Sequence, residues 1–186
     1  DYLKGYVIAL KKGTTAEAFF YFNRIIDEAP KEEMEIMVLL AYTGMGILYE
    51  NIGEIQKAEY FFNKAITDVY RYPIKETHDI WRLLNIMYYC GSFYANIEDY
   101  QTSDALLTHG VKICSDNHVT YYLARMTFQL AKNAVAQNKD CYEIMDLYYS
   151  TKAYAEINKN MIELKALEDF KHELMENDAF SEIVLY

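Results

Sequence analysis

The chain has 186 residues, 52% of them hydrophobic and 16% aromatic, which excludes a disordered segment and allows one full core or a short repeat array. Its net charge of −10 repels phosphate backbones and excludes nucleic-acid binding by this chain alone. Only 2 prolines and 7 glycines interrupt it, which favours long helices.

The chain opens "DYLKGYVIAL", with neither an initiator Met nor a secretory signal pattern, so it reads as a fragment of a longer protein. Leu3, Val7 and Leu10 form a helical stripe from Asp1 to about Lys12. Gly13 is placed to end that helix, and Thr14 or Thr15 to cap the next. That second helix runs to about Ala29 and carries Ala18, Phe22, Ile25 and Ile26 on one side. Pro30 then suits a first helical turn, with Glu32 and Glu33 at its positive dipole end. The helix it opens extends to about Asn51; a turn at Gly53 and a helix through Tyr70 follow, and Tyr72 and Pro73 break the chain.

A third pair is capped at Thr77 and has Asp99 as the cap of its second helix. The fourth pair is "NHVTYYLARMTFQLAKNAVAQ", the turn "NKD" and "CYEIMDLYYSTKAYAEI", with Asn138 in the place of Gly53 and Leu147 in that of Phe62. A last helix, about Lys159 to Glu176, shows Met161, Leu164, Leu167, Phe170 and Leu174. The tail "AFSEIVLY" is apolar enough to dock, for example on a second subunit.

The pairs repeat. Gly13, Ala18, Phe22 and Asn23 have the spacing of Gly53, Ala58, Phe62 and Asn63, 40 residues on. Gly91, Tyr94, Asn96 and Ile97 fall 45 residues after Gly46, Tyr49, Asn51 and Ile52. Tyr100, Ser103 and Leu107 keep the same offset from Ile55, Ala58 and Phe62. Antiparallel helices approach closely only where one presents Gly or Ala. Gly46 and Ala58 supply that notch, and Tyr49 and Phe62 fill the space between neighbouring units. One pair alone cannot bury its apolar faces, whereas a stack can.

Gly46, Tyr49, Gly53, Ala58, Phe62 and Ala65 resemble the signature small and aromatic positions of the tetratricopeptide repeat, with Ile55 in place of an aromatic. Ser103 and Gly110 replace alanines in the third unit, and the units exceed the usual length of about 34 residues. The resemblance implies an all-α solenoid of TPR-like helical hairpins: about four pairs, at residues 1–29, 30–72, 73–115 and 116–157, plus a C-terminal helix and tail at 158–186. The long, Tyr-rich helices are further similar to the C-terminal domains of Gram-positive peptide-responsive transcription regulators of the Rgg and PlcR type. That resemblance implies a domain that binds a short peptide on a concave face, forms a homodimer, and reaches DNA only through a helix-turn-helix domain absent from this chain.

In such a stack the first helix of each pair lines the concave face. Its groove side then carries Thr43, Ile47, Glu50 and Asn51; Asn85, Tyr88, Tyr89, Ser92 and Asn96; and Arg125, Phe128, Gln129 and Lys132. The expected peptide contacts are Asn51, Asn85, Tyr88, Tyr89, Asn96, Arg125 and Gln129. An asparagine amide satisfies both backbone groups of an extended peptide, tyrosines offer flat faces with polar tips, and Arg125 suits a carboxylate. Each has a plainer alternative. Asn51 and Asn96 lie where Asn caps helix ends, any one of the 19 tyrosines serves packing, and Arg125 suits an ion pair within the stack.

No chemistry-bearing motif competes with this. His109, Cys114 and His118 lack a fourth ligand and a tight frame for zinc, and no phosphate loop or H-E-x-x-H occurs. The runs "KEEMEI" and "ELKALEDFKHELMEND" read as solvated faces with i,i+4 pairs such as Glu168–His172. The expectation is therefore no enzyme, no cofactor and no metal. Three scattered cysteines and no membrane-length apolar run place the chain in the cytoplasm, off the membrane. Two alternatives to the sensory domain stand: a constitutive TPR-type scaffold that docks a partner-protein segment, and a module that binds a response regulator.

Overall fold

The computed structural model describes residues 15–28, 35–120 and 122–176. Among them lie eight α-helices and no strand: α1 (Thr15–Glu28), α2 (Glu35–Asn51), α3 (Ile55–Ile66), α4 (Thr77–Asn96), α5 (Tyr100–Asp116), α6 (Leu123–Ala136), α7 (Cys141–Ile157) and α8 (Met161–Met175), with a 3-10 turn at Val69–Arg71. The chain is all-α, a succession of TPR-like helical hairpins. The helix expected over Asp1–Lys12, the cap at Gly13 and Thr14, the Pro30 start with Glu32 and Glu33, and the C-terminal tail lie outside the described residues. Packing divides the chain into two compact bodies, residues 1–93 and 94–186, with the boundary inside α4.

In the N-terminal body, α2 packs against both α1 and α3. This is why α2 is apolar nearly all round: Ile36, Leu39, Leu40, Ala41, Met45, Ile47 and Leu48 are all buried. By contrast α1 and α3 bury one stripe each, Ala18 and Phe22 in α1, and Ala58, Phe62 and Ala65 in α3. The close approaches occur at glycines. A Cβ on Gly46 would stand 2.8 Å from the Phe62 ring, and one on Gly44 would meet the Phe22 ring closer still. Phe62 in turn stacks on Phe93 of α4 with centroids 4.5 Å apart. Tyr49 lies between Phe19 at 4.9 Å and Phe61 at 5.3 Å. The notch expected at Gly46 is therefore present; the equivalent one at Gly44 has no counterpart in the repeat pattern.

In the C-terminal body, α6 packs against α5, α7 and α8. Ala131, Ala134, Ile144, Tyr148, Leu167, Phe170 and Leu174 form one buried cluster there, with Phe128 edge-on to Phe170 at 5.4 Å. Here the expected register of α7 is corrected. Tyr148, 2% exposed, and not Leu147 takes the buried place of Phe62, within the stripe Ile144, Tyr148, Thr151 and Ala155. The turn is the cause. The cap residues Glu54 and Asp99 directly follow their left-handed residues, whereas Lys139 intervenes between Asn138 and the cap Asp140.

Five turns share one backbone geometry. Gly53, Glu98, His118, Asn138 and Lys159 have φ of 79°, 65°, 55°, 52° and 51°. Behind each, the next N–H bonds a carbonyl five residues back: Glu54 to Tyr49, Asp99 to Tyr94, Val119 to Cys114, Lys139 to Ala134 and Asn160 to Ala155. This is the Schellman closure of a helix C-terminus. The following helices are capped by Asp99, Asp140 and Asn160, whose side chains accept from Thr102, Tyr142 and Glu163 amides. Thr77, expected as a cap, is instead the first residue of α4; Asp79, in the first turn, reaches back to accept the Lys75 and Glu76 amides, each at 3.1 Å.

Gly46→Ala is expected to cost about 2 kcal/mol in chemical denaturation, because the Phe62 ring is fixed by Phe93 and cannot yield. At Gly53, where an added Cβ meets nothing, alanine costs about 1 kcal/mol through backbone conformation alone, and Lys159→Gly gains a comparable amount.

Candidate functional site

The expected contact residues fall on three elements. Asn51 and Asn96 are the last residues of α2 and α4, both exposed and both two residues before a left-handed turn residue. The Asn51 turn is closed by main-chain groups: Gly53 N–H bonds Glu50 O at 3.0 Å and Glu54 N–H bonds Tyr49 O at 2.9 Å. The Asn96 turn is closed the same way, Glu98 N–H on Ala95 O and Asp99 N–H on Tyr94 O. Neither closure requires the asparagine amide.

On α4, Asn85 is 0% exposed, so its amide is held inside the N-terminal body. Tyr88 and Tyr89 are half-buried and meet edge to face, centroids 5.0 Å apart. One turn on, the Ser92 hydroxyl is buried with no hydrogen-bond partner. The Cys90 thiol, on the same helix, is fully buried, and burial pushes its pKa up against the opposing effect of its hydrogen bond with Thr43.

On α6, successive turns present Arg125, then Phe128 and Gln129, then Lys132. Tyr122, in left-handed conformation with φ 60°, precedes the helix, and its ring lies 5.9 Å from the Arg125 guanidinium. Arg125 Nε donates to Glu163 Oε1 of α8 at 2.8 Å. Gln129 Nε2 donates to Asn133 Oδ1 at 2.9 Å. Lys132 is exposed at the end of the row, 5.0 Å from the Phe128 ring centre, and burial holds its pKa below the usual lysine range.

Gln129 belongs to a wider network. Asn133 donates to Ser103 Oγ and Asp104 Oδ1, both at 2.8 Å, and the other Asp104 oxygen accepts from Gln137 Nε2 at 2.9 Å and Lys139 Nζ at 3.3 Å. Burial lowers the Lys139 pKa, but the hydrogen bonds it donates to Glu143 and Asp104, together with their charges, outweigh it and raise the pKa overall. Asp104 thus ties α5 to α6 and to the turn before α7.

Two of these partners were not expected. Glu163 belongs to the run read as a solvated face, yet it is 8% exposed and paired. It stands on one stripe with Leu167, Phe170 and Leu174, and that spacing is the signal for its burial. Glu168–His172, from the same run, is an exposed pair at 3.8 Å, as expected. Ser103, taken as a stand-in for alanine, is buried and accepts from Asn133. Among the described residues no group of His, Cys, Asp or Glu could hold a metal, and no helix is long and apolar enough to cross a membrane.

No protein-family model matches the sequence, and no curated protein matches it. Among solved structures, the fold is similar to that of Bacillus thuringiensis PlcR, in a crystal structure with the peptide PapR7 and DNA. The TM-score is 0.70 at 15% identity, and the match covers 89% of this chain and 57% of that chain. The likeness is one of fold, and this chain spans little more than half the length of that neighbour.

Asp104→Ala removes an acceptor shared by three donors, each of which keeps a second partner in Ser103, the Asn133 carbonyl or Glu143, and is expected to cost about 1 kcal/mol, read as a fall in Tm.

Proposed function

We propose that this chain is the ligand-binding and dimerisation domain of a peptide-responsive transcription regulator, and that it binds a short peptide. The observation that carries this reading is the fold likeness to PlcR, whose structure was solved with a peptide and DNA. The net charge of −10 fits a domain that leaves DNA contact to another part of a longer protein. A cytoplasmic location follows from that role.

Each body offers side chains suited to a peptide. In the N-terminal body these are the exposed Asn51 and the half-buried pair Tyr88 and Tyr89. In the C-terminal body they are Asn96, Arg125 and Gln129. Exposed asparagine amides pair with the backbone of an extended chain, and amphipathic rings bury area at low entropy cost. Asn85 takes a supporting place beneath Tyr88 and Tyr89 in this arrangement, since its side chain is inside.

Affinity-selection mass spectrometry with a degenerate synthetic heptapeptide pool tests the reading. The wild-type chain is expected to retain a subset of the pool. Asn51→Ala with Asn96→Ala is expected to weaken retention at least tenfold with Tm unchanged. Lost stability with unchanged retention would assign both amides to capping, and no retained peptide would remove the function.

A further inference from the structure

Arg125 and Glu163 form an ion pair with an unusual imbalance. Arg125, on the first turn of α6, keeps 37% of its side chain open to solvent, whereas Glu163 keeps 10%. Only one carboxylate oxygen is engaged: Oε1 takes the Arg125 Nε at 2.8 Å, and Oε2 is buried with no hydrogen-bond partner. Arginine and carboxylate satisfy one another best as a two-bond fork. A buried carboxylate oxygen without a donor carries a desolvation cost that the single bond does not offset.

The same glutamate has a second place to go. Asn160 caps α8 and Glu163 is three residues on, the spacing of a capping box. Half of that box exists, since Asn160 Oδ1 accepts from the Glu163 amide at 3.4 Å. The reciprocal half does not, because the Asn160 amide is bonded to Ala155 O at 2.8 Å and the Glu163 carboxylate is turned to Arg125. A carboxylate released from Arg125 can fold back over the first turn of α8, where the dipole favours negative charge. One anion thus has two positions, and only one of them occupies the guanidinium.

The geometry points to Glu163 as an internal occupant of a carboxylate-binding position on Arg125, displaced when the carboxylate of a bound peptide arrives from the solvent side. This rests on the peptide-binding reading above and adds the ligand's chemistry and a consequence for the fold. The exchange needs no net change in charge pairs at Arg125: one carboxylate leaves as another binds. It removes the Arg125–Glu163 tie between α6 and α8, while apolar contacts such as Phe128 on Phe170 remain. Binding at α6 is thereby coupled to the position of α8.

The test uses three heptapeptide pools of matched composition: a free C-terminal acid without Asp or Glu, a C-terminal amide with one Glu, and a C-terminal amide with no acidic residue. The wild-type chain is expected to favour one or both acidic pools over the neutral one. Glu163→Gln removes the competing charge and is expected to raise retention of the favoured acidic pool about tenfold, with the neutral pool unchanged. Glu163→Asp, one methylene shorter, serves as a second variant if the amide perturbs folding, with a smaller rise of the same sign. Arg125→Gln is expected to abolish the preference for acid whichever residue stands at 163, an effect that a purely structural ion pair would not produce. If the first pool responds, the ligand group is the C-terminus; if the second, it is an acidic side chain. Retained peptides with no acid preference, or a preference that Glu163→Gln leaves unchanged, would overturn the exchange and leave peptide binding standing. No retention of any pool by wild type or variant would overturn both.

Discussion

The hairpins of the N-terminal body depend on aromatic rings seated directly on glycine backbone. Phe62 lies on Gly46 and Phe22 on Gly44, two residues apart on one helix. Two neighbouring helices are thereby drawn against α2, which is why α2 can be apolar almost all round without exposing that surface. A fully buried phenylalanine contributes about 2–3 kcal/mol through removal from water, and here each ring also fixes a helix position. Phe62 extends the arrangement by stacking on Phe93, so one ring joins three helices of the N-terminal body.

The C-terminal body is held differently. Its apolar cluster is supplemented by side-chain hydrogen bonds that cross between helices, Asn133 to Ser103 and Asp104, Thr151 to Thr127, and Arg125 to Glu163. Such bonds demand specific orientations, whereas apolar packing tolerates sliding. Polar ties of this kind are also reversible in water.

Much of this was legible in the sequence. The Gly-to-Ala-to-Phe spacing around Gly46, Ala58 and Phe62 located the hairpin because each letter answers to a steric need. Asn138 was legible as a turn because Asn tolerates the left-handed region, but Glu98 and Lys159 were not, since nothing in those side chains asks for it. The α7 register failed by one residue because the inserted Lys139 changes no motif letter, only the phase of the stripe. At the candidate site the pattern named Arg125 and Gln129 but not what they touch. Glu163 and Asn133 are 38 and 4 residues away in the chain, and only the first pairing required the fold. The stripe of Glu163 with Leu167, Phe170 and Leu174 held the clue; the acidic run around it drew the reading towards solvent.

The Schellman turns carry a consequence for how such chains diverge. Each corner is sealed by main-chain amide and carbonyl groups that every amino acid except proline possesses, so a non-glycine residue there costs at most about 2 kcal/mol. Spelling can drift while the polypeptide trace persists. An architecture maintained this way leaves little alphabetic signature to inherit, and its ancestry is written in the path of the main chain.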